Sequence, residues 1–412
     1  MTKRNQLKFL KFPEHKVLFV LAAIVAAISV SCEEQDGRED TEVSKGGPAA
    51  DHYDWPLFRG DAEMQGVAKE AISAPLEIAW SYEPPVEEGK RRPPIEASPI
   101  ISDGVIYIGS QSSKLLALDL ESGKLNWSFN AEGPISAPAA AYGETVFFGD
   151  TYGFVYALDA ETGEEKWRFE TEGKIEGGIN VLPGIQGKVG IFIGSHDYFL
   201  YCLDAANGEV IWKHETGNYV VATPSIINSG GQRSVSFGGC DGLLYVMSAD
   251  GSGESKEIEI GSYIANTSAV RDGIAYVAHN GGEVIAIDIA SGEEVWRLAT
   301  GVEYTASPAV DETHVFVAGP DKRLVAIDRV TGTEDWTFLA RRSLDSSPLI
   351  SGDTVWQGGM DGRLYAVSRL DGSEIWQFEL GTQIKASPAV SRGKLVLGGA
   401  DGVVYAFRES DS

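Results

Sequence analysis

The sequence lacks the short motifs that identify several large classes of enzyme. It contains no C-x-x-C-H for covalent haem, no H-E-x-x-H for catalytic zinc, no G-x-S-x-G nucleophile elbow and no Walker loop. Residues 184–190, GIQGKVG, have the wrong spacing for a Walker loop, and residues 250–254, DGSGE, match only a fragment of a calcium loop. The sequence therefore predicts no catalytic residue, cofactor or metal site of these kinds.

Basic residues are also scarce. The chain has 34 Lys and Arg against 60 Asp and Glu, which gives a formal net charge of -26. A surface of this charge repels phosphate backbones and anionic lipid headgroups. We therefore predict no nucleic-acid partner, and membrane association only through an anchor.

The N-terminus is predicted to supply that anchor, because basic residues precede an apolar run at residues 17–30. A run of 14 residues is short for a transmembrane helix and typical of the core of a signal peptide. Residues 1–31 resemble a bacterial lipoprotein signal with Cys32 as the lipidated first residue, although Ser29 stands where that signal usually has an aliphatic residue. An ordinary signal peptide or an uncleaved anchor is the alternative, and every version predicts export.

Residues 32–54 are polar and acidic, without an apolar period, and are predicted to form a flexible tether. Glu33 rather than Asp follows the cysteine, which by resemblance to the sorting rule of enteric bacteria predicts an outer-membrane lipoprotein that faces the periplasm. Residues 55–412 are predicted to fold as a single domain.

One phrase recurs through that domain. At residues 156–167 it reads YALDAETGEEKW, and its aspartate position recurs at intervals of 40, 45, 44, 40, 40, 40 and 40 residues. A second string, ASPAV or a variant of it, precedes each copy. Each copy holds four short apolar segments between Gly, Asp and Pro turns and lacks a helical period. The eight copies predict an all-β fold, an eight-bladed β-propeller of four-stranded antiparallel blades, and exclude a helical solenoid.

The last copy ends without its tryptophan strand. Residues 76–83, LEIAWSYE, contain Trp80 in a strand of the right type, but no first three strands precede them. We therefore predict that this strand pairs with residues 403–407 as the outer strand of the last blade, which closes the ring and removes unpaired edges.

The residue types of the recurring phrase indicate structural roles. The small residue before the aspartate lets a neighbouring ring lie close, the aspartate caps the turn, the glycine takes a positive φ, and the tryptophan packs on the adjacent blade. These residues are Trp80, Asp119, Gly123, Trp127, Asp159, Gly163, Trp167, Asp204, Gly208, Trp212, Asp288, Gly292, Trp296, Asp328, Gly332, Trp336, Gly372 and Trp376. Blade four departs from the pattern with Ser248 for Asp and Ile258 for Trp, which predicts the loosest blade or one covered by a partner.

The string A-x-D-x-x-T/S-G-x-x-x-W resembles the tryptophan-docking motif of the pyrroloquinoline-quinone-type (PQQ-like) propeller repeats, over residues 55–408. That superfamily includes quinoprotein dehydrogenases and the small eight-bladed BamB-like lipoproteins of outer-membrane β-barrel assembly. The dehydrogenases hold their quinone against a disulfide of adjacent cysteines and bind Ca²⁺ through carboxylate and amide oxygens. This chain has no adjacent cysteines: Cys202 occupies a small-residue position in a strand and Cys240 a turn, and a disulfide between them is a less favoured alternative.

The resemblance therefore favours a non-catalytic, BamB-like protein-interaction scaffold without a cofactor. It implies a monomeric subunit of a complex that assists β-barrel assembly, and it carries no interface residue across to this chain. The alternative is a quinone- or calcium-binding propeller with dehydrogenase or sensor activity.

One further set of positions is a candidate ligand site. The residue before each ASPAV-type string is predicted to enter the innermost strand near the mouth of the central channel, at Glu96, Ser136, Glu176, Val221, Ala265, Thr305, Asp345 and Lys385. Three carboxylates and a lysine can bind a cation or polar ligand, although solvated side chains at a wet pore are the favoured interpretation. His196-Asp197 resembles a base with its carboxylate, but it occupies the same turn as Cys240-Asp241, which favours a structural role.

Overall fold

The computed structural model describes residues 54–229 and 231–410. The predicted signal peptide at residues 1–31, Cys32 and all of the predicted tether except Asp54 lie outside the described residues. In the part of the chain that is described, no helix has the length and apolarity needed to cross a membrane.

The described residues form eight four-stranded sheets, which we number as blades 1 to 8. Blade 1 contains β2 (Ile100–Ser102), β3 (Val105–Gly109), β4 (Lys114–Asp119) and β5 (Leu125–Asn130); blade 2 contains β6 (Ala140–Tyr142), β7 (Thr145–Gly149), β8 (Phe154–Asp159) and β9 (Glu165–Glu170). Blade 3 contains β10 (Asn180–Ile185), β11 (Lys188–Gly194), β12 (Phe199–Asp204) and β13 (Val210–Glu215); blade 4 contains β14 (Ser225–Ser229), β15 (Gln232–Gly238), β16 (Leu243–Ser248) and β17 (Lys256–Glu259).

Blade 5 contains β18 (Ala269–Arg271), β19 (Ile274–His279), β20 (Glu283–Asp288) and β21 (Glu294–Ala299); blade 6 contains β22 (Ala309–Val310), β23 (His314–Ala318), β24 (Arg323–Asp328) and β25 (Glu334–Leu339). Blade 7 contains β26 (Leu349–Ser351), β27 (Thr354–Gly358), β28 (Arg363–Ser368) and β29 (Glu374–Glu379). Blade 8 contains β30 (Ala389–Ser391), β31 (Lys394–Gly398), β32 (Val404–Glu409) and β1 (Leu76–Tyr82).

The burial of each strand reflects its place in the blade. The four central residues of β8 are all buried, because neighbouring blades cover both faces of this third strand. The outer strand β9 alternates between exposed and half-buried residues, as expected for a strand with one solvated face. The apolar core therefore lies between successive blades, as in the cluster that joins Phe147 and Ala157 of blade 2 to Ile191 and Tyr201 of blade 3.

The predicted closure of the ring is confirmed. Strand β1 pairs antiparallel with β32, and Trp80 lies opposite Ala406. The first strand of the domain is thus the outer strand of blade 8, so the fold is the predicted eight-bladed propeller with antiparallel four-stranded blades.

The two ends of the ring differ in the segments they carry. The end that carries the blade-to-blade connections also carries the turns between the second and third strands, and we call it the upper face. The other end carries the turns that follow the first and third strands, and we call it the lower face.

Candidate functional site

Six of the docking tryptophans lie against a glycine of the next blade. A Cβ added to Gly163 of blade 2 would lie 2.6 Å from Cδ2 of Trp127 in blade 1, so only glycine leaves room for the indole. Gly163 has a φ of +73°, and Nε1 of Trp127 donates to the carbonyl of Ala160 at 3.1 Å. The same arrangement occurs for Trp80 on Gly123, Trp167 on Gly208, Trp212 on Gly251, Trp296 on Gly332 and Trp336 on Gly372. Trp376 instead contacts Trp356 and Phe378.

The aspartates of the motif cap lower-face turns. Asp159 Oδ1 accepts the backbone N–H of Thr162 at 2.9 Å and its hydroxyl at 3.1 Å. These bonds stabilise the charged carboxylate, the backbone one most, and they lower the pKa of Asp159. The equivalent oxygens of Asp119, Asp204, Asp288 and Asp328 accept turn N–H groups in the same way. These bonds hold the turns that follow the third strands of the blades.

Blade 4 replaces the docking tryptophan with a lysine, which the sequence alignment did not identify. Lys256 lies opposite Val246, the position that pairs with tryptophan in the other blades, whereas Ile258 lies opposite Leu244. The aliphatic stem of Lys256 covers Gly292, and its Nζ donates to the carbonyls of Ile289 and Ala290 at 3.2 and 2.6 Å. The assignment of Ile258 to the tryptophan position is therefore wrong, because the strand pairing is offset by two residues.

A belt of hydroxyl groups from six of the eight blades lies on the innermost side of the ring. Six backbone N–H groups, of Gly178, Thr223, Thr267, Ser307, Ser347 and Ser387, each donate to the hydroxyl at the equivalent position of the next blade, ending at Ser98, over 2.8 to 3.1 Å. The belt is broken in blade 2, where Pro138 has neither an N–H nor a hydroxyl. These residues come from the ASPAV-type strings, whose recurrence is thereby explained.

Among the candidate ligand residues before those strings, the structure brings Glu96 and Lys385 into contact. Lys385 Nζ pairs with Oε1 of Glu96 at 2.8 Å, and His196 Nε2 lies 2.9 Å from Oε2 of Glu176. The bond from His196 lowers the pKa of Glu176. Ser136, Thr305 and Asp345 are half-buried or exposed at the equivalent positions. Across residues 54–229 and 231–410, no three His, Cys, Asp or Glu side chains come together in a metal-binding group, so the cation interpretation gains no support.

Residues 54–72 close the lower mouth, a feature that the sequence analysis missed. Trp55 pairs with Ile101 of blade 1, and further carbonyls of this segment accept the N–H groups of residues in the innermost strands of blades 2, 4, 5, 6 and 7. We call residues 54–72 the plug. It carries no repeat signature, and its buried apolar residues Trp55, Leu57, Met64 and Ile72 are the feature from which a packed segment could have been predicted.

Arg59 of the plug lies on the inside of the ring and is 1% exposed. Its Nη2 donates to the carbonyls of Pro308 and Pro348 at 3.3 and 2.5 Å, one residue beyond the belt hydroxyls of Ser307 and Ser347. Gly66 is required beside it, because an added Cβ there would lie 2.0 Å from Nη2. The plug therefore inserts a guanidinium beneath the hydroxyl belt.

The upper face carries four exposed tyrosines on neighbouring blades. Tyr152 and Tyr198 lie in second-to-third-strand turns, and Tyr219 and Tyr263 lie in blade-to-blade connections; we call these four the upper tyrosines. The ring of Tyr219 stacks on His196 with centroids 4.6 Å apart and lies 5.4 Å from the ring of Tyr198. The sequence offered no signal for this cluster beyond the residue type, because its members come from different segments of the repeat.

The structural interpretation of His196-Asp197 is supported by its neighbours. Asp197 accepts the hydroxyl of Tyr201 at 2.7 Å, and Asp241 accepts the hydroxyl of Tyr245 at 2.7 Å in the equivalent turn of blade 4. Cys202 is a free, buried thiol in β12, as predicted for a small core residue, and Cys240 is also free, so the alternative disulfide is absent.

The residues present do not fit a quinone–calcium site of the type that the dehydrogenase resemblance implies. The two cysteines among the described residues, Cys202 and Cys240, lie in different blades and are unpaired. The described His, Cys, Asp and Glu residues form no group of three or more that could hold a metal ion. We therefore derive no reaction step through a quinone or Ca²⁺.

Comparison with known proteins gives two kinds of relative. Sequence matches are to parts of much longer enzymes: the dehydrogenase subunit of the quinone-dependent alcohol dehydrogenase of Gluconobacter oxydans is 29% identical over 133 residues, 30% of this chain and 16% of that protein. The quinoprotein ethanol dehydrogenase of Pseudomonas aeruginosa is 36% identical over 80 residues, 17% of this chain and 12% of that protein. The matched segments thus span less than a fifth of these curated relatives.

Similar solved structures include BamB from Moraxella catarrhalis, with a TM-score of 0.66 and 20% identity over 82% of this chain and 99% of that one. The quinohemoprotein alcohol dehydrogenase of Comamonas testosteroni has a TM-score of 0.70 and 16% identity over 87% of this chain and 82% of that one. At these identities the likeness shows the shared fold. The family model described as outer membrane protein assembly factor BamB matches residues 77–216, 151–262 and 248–408, and the chain therefore belongs to that family of PQQ-like propellers.

Proposed function

We propose that this protein is a non-catalytic scaffold that binds a protein partner through its upper face and assists the assembly of outer-membrane β-barrel proteins. The observation that carries the proposal is the group of exposed upper tyrosines on blades 2 to 5, of which Tyr198 and Tyr219 are in ring contact. Tyrosine is enriched at protein interfaces because its ring adds apolar contact area and its hydroxyl still bonds to water or a partner.

The geometry of the ring favours this face over the other. The plug occupies the lower mouth and uses the backbone groups of the innermost strands there. On the upper face, Tyr198 and Tyr219 are 42% and 41% exposed and lie in contact with each other, so they form a continuous surface with His196. Clustered aromatic side chains of this kind supply much of the binding free energy at interfaces.

The proposed location at the outer membrane rests on the resemblance of the N-terminal residues to a lipoprotein signal. An exported lipoprotein held by Cys32 on the outer membrane, facing the periplasm, would meet β-barrel proteins before they insert. Without a lipid anchor, the net charge of -26 would keep the chain away from anionic membranes. We infer that the protein acts as a monomeric subunit of the assembly complex.

The second candidate is a quinone-dependent dehydrogenase, favoured by the local sequence matches to such enzymes. The two candidate functions predict different effects of quinone and Ca²⁺ on the melting temperature. Adding pyrroloquinoline quinone and Ca²⁺ would raise the melting temperature of a quinone-binding protein, since a ligand at 100 times its Kd stabilises by about 2.7 kcal/mol. The scaffold function predicts no change in melting temperature.

The proposal is tested by crosslinking whole cells of the source organism and isolating the tagged, full-length protein. We expect to recover a component of the β-barrel assembly machinery with the wild type, and at least tenfold less with Tyr198→Ala combined with Tyr219→Ala. Tyr142→Ala is the matched control, because Tyr142 is 40% exposed but lies at the lower end of β6. Recovery of no assembly component, or equal losses in both variants, would contradict the proposal.

A further inference from the structure

Two basic side chains of the upper face have no acidic partner. Arg341 and Arg342 lie in the connection between blades 6 and 7 and are exposed. Within residues 54–229 and 231–410, their guanidinium groups form no ion pair or hydrogen bond. The neighbouring Arg363 differs, because its Nη2 pairs with Glu379. Arg341 and Arg342 therefore carry uncompensated positive charge on a chain whose net charge is -26.

The turn that carries these arginines does not require a basic residue. The N–H of Ala340 donates to the carbonyl of Lys322, and the same bond identifies the equivalent residue in every other connection that joins blades 1 to 8 in chain order. The next two positions in those six connections are Glu132-Gly133, Glu172-Gly173, Gly217-Asn218, Gly261-Ser262, Gly301-Val302 and Gly381-Thr382. The positive charge is thus specific to the connection between blades 6 and 7.

An open groove of about 420 Å³ lies beside the two arginines at the upper end of blade 7. It is lined by Arg341 and Arg342, by residues 360–363 of the turn between β27 and β28, and by residues 381–383 of the connection to blade 8. Its charged lining residues are three arginines and one aspartate, Asp361. The groove is therefore basic.

Asp361 does not neutralise the two exposed arginines. Its Oδ2 accepts the hydroxyl of Tyr365 and lies 3.9 Å from Nη1 of Arg363, and its side chain is only 5% exposed. The charged groups that the groove presents to solvent are therefore mainly guanidinium groups.

Backbone bonds hold the groove in shape. The N–H of Met360 donates to the carbonyl of Ser343 at 3.0 Å, and the N–H of Leu380 donates to the carbonyl of Gly362 at 2.7 Å. These bonds join the turn of blade 7 to the connections on both sides of it. A site that is already formed loses less conformational entropy when it binds.

The local charge of the groove determines which partner it attracts. At physiological ionic strength, charges more than about 8 Å away are largely screened, so the acidic remainder of the chain has little effect there. Arginine pairs with carboxylates through two parallel N–H···O bonds, and arginine is enriched at protein interfaces.

We propose that this groove binds an acidic segment of the protein partner, whose Asp or Glu carboxylates pair with Arg341 and Arg342. The inference rests on the proposed scaffold function and adds the chemistry of the partner to it. The partner would contact the upper tyrosines on blades 2 to 5 and place its acidic segment at the upper end of blade 7.

A photo-crosslinking amino acid at position 383 tests the inference, because Gln383 lines the groove and is exposed. The full-length protein is crosslinked in cells of the source organism, and the joined partner peptide is identified by mass spectrometry. We expect a peptide of an assembly component with a net negative charge. A neutral or basic peptide, or a crosslink from position 219 with none from position 383, would overturn the inference. An acidic peptide from a protein outside the assembly machinery would support the inference and contradict only the assembly role.

Charge reversal provides a second test. Arg341→Glu combined with Arg342→Glu should lower the recovery of the assembly component by about tenfold, because the groove would then repel carboxylates. Glutamate fits the fold at position 341, since Glu132 and Glu172 occupy the equivalent positions of two other connections.

Lys69→Glu combined with Lys124→Glu is the matched control, because both lysines are exposed on the lower face and the change in net charge is the same. Recovery equal to wild type after the arginine reversal, or equal losses in the two double variants, would contradict the inference. The tyrosine variants test the proposed function separately in either case. If the arginine variant does not fold, the peptide joined to position 383 decides.

Discussion

Trp80 and Ala406 lie opposite each other across the pairing of β1 with β32, and the Nε1 of Trp80 donates to the carbonyl of Leu120 in blade 1 at 3.0 Å. One side chain near the start of the domain therefore completes blade 8 and docks it on blade 1. We expect Trp80→Ala to lower the free energy of unfolding by about 3 kcal/mol, through the cavity it leaves and the lost bond. Urea denaturation measures this value, and an unchanged midpoint relative to wild type would show that the closure does not stabilise the ring.

Gly163 and Gly143 form a matched pair for testing the docking contact. Both have a positive φ, +73° and +56°, but an added Cβ meets Trp127 only at Gly163 and meets nothing within 4 Å at Gly143. Gly143→Ala should lose about 1 kcal/mol through backbone strain, and Gly163→Ala about 2 to 4 kcal/mol because the indole must also shift. Chemical denaturation of the two variants gives the difference. Equal losses would mean that the close approach of Trp127 contributes nothing.

Lys256 should stabilise blade 4 through its two bonds to blade 5. Lys256→Met keeps most of the apolar stem over Gly292 but removes the Nζ donor to Ile289 and Ala290. We expect a loss of about 1 kcal/mol in the free energy of unfolding. Lys124→Met, at an exposed turn, is the control and should change the stability by less than about 0.5 kcal/mol. A neutral effect of Lys256→Met would show that the lysine does not replace the docking tryptophan.

The capping aspartates make the fold sensitive to acid. The pKa of Asp328 is lowered, first by its bond from the N–H of Thr331, and that of Asp159 is lowered likewise. A lowered folded-state pKa means that the contribution to stability is fully present above the unfolded pKa, about 3.9, and is lost as the pH falls through the folded value.

We therefore expect the melting temperature of the wild type to fall as the pH drops below about 4, the unfolded value. Asp328→Asn should show a smaller fall, because the amide oxygen still accepts the turn N–H groups but no longer titrates. Melting curves across this pH range measure the effect. A pH profile of Asp328→Asn identical to that of the wild type would show that this cap does not contribute.

Much of the ring was predictable from the sequence because its contacts repeat. The recurring aspartate, glycine and tryptophan marked equivalent turns and strands, and the unmatched Trp80 strand predicted the closure that β1 and β32 make. Lys256 was missed because a lysine makes the contacts that an indole makes in the other blades, with its stem on the glycine and its Nζ on the backbone carbonyls. Ile258, two positions further along the strand, was therefore aligned with the tryptophans instead.

The candidate site was less predictable for physical reasons. The plug makes only one or two backbone hydrogen bonds with each of six different blades, and such scattered contacts leave no period in the sequence. Nothing in the sequence around Arg59 predicts that the ring buries this side chain. Tyr198 and Tyr219 come into contact because the propeller places different segments of the repeat at the same end. The ion pair between Glu96 and Lys385 could not be predicted, because it joins blade 1 to blade 8 and depends on the closure of the ring.

The binding role of the upper face is tested most directly by a photo-crosslinking amino acid at position 219, compared with the same amino acid at position 142. These tyrosines have nearly equal exposure, 41% and 40%, and lie at opposite ends of the ring. We expect ultraviolet light to join position 219, and not position 142, to a component of the β-barrel assembly machinery in living cells. A crosslink to that machinery from position 142 alone, or from neither position, would contradict the account.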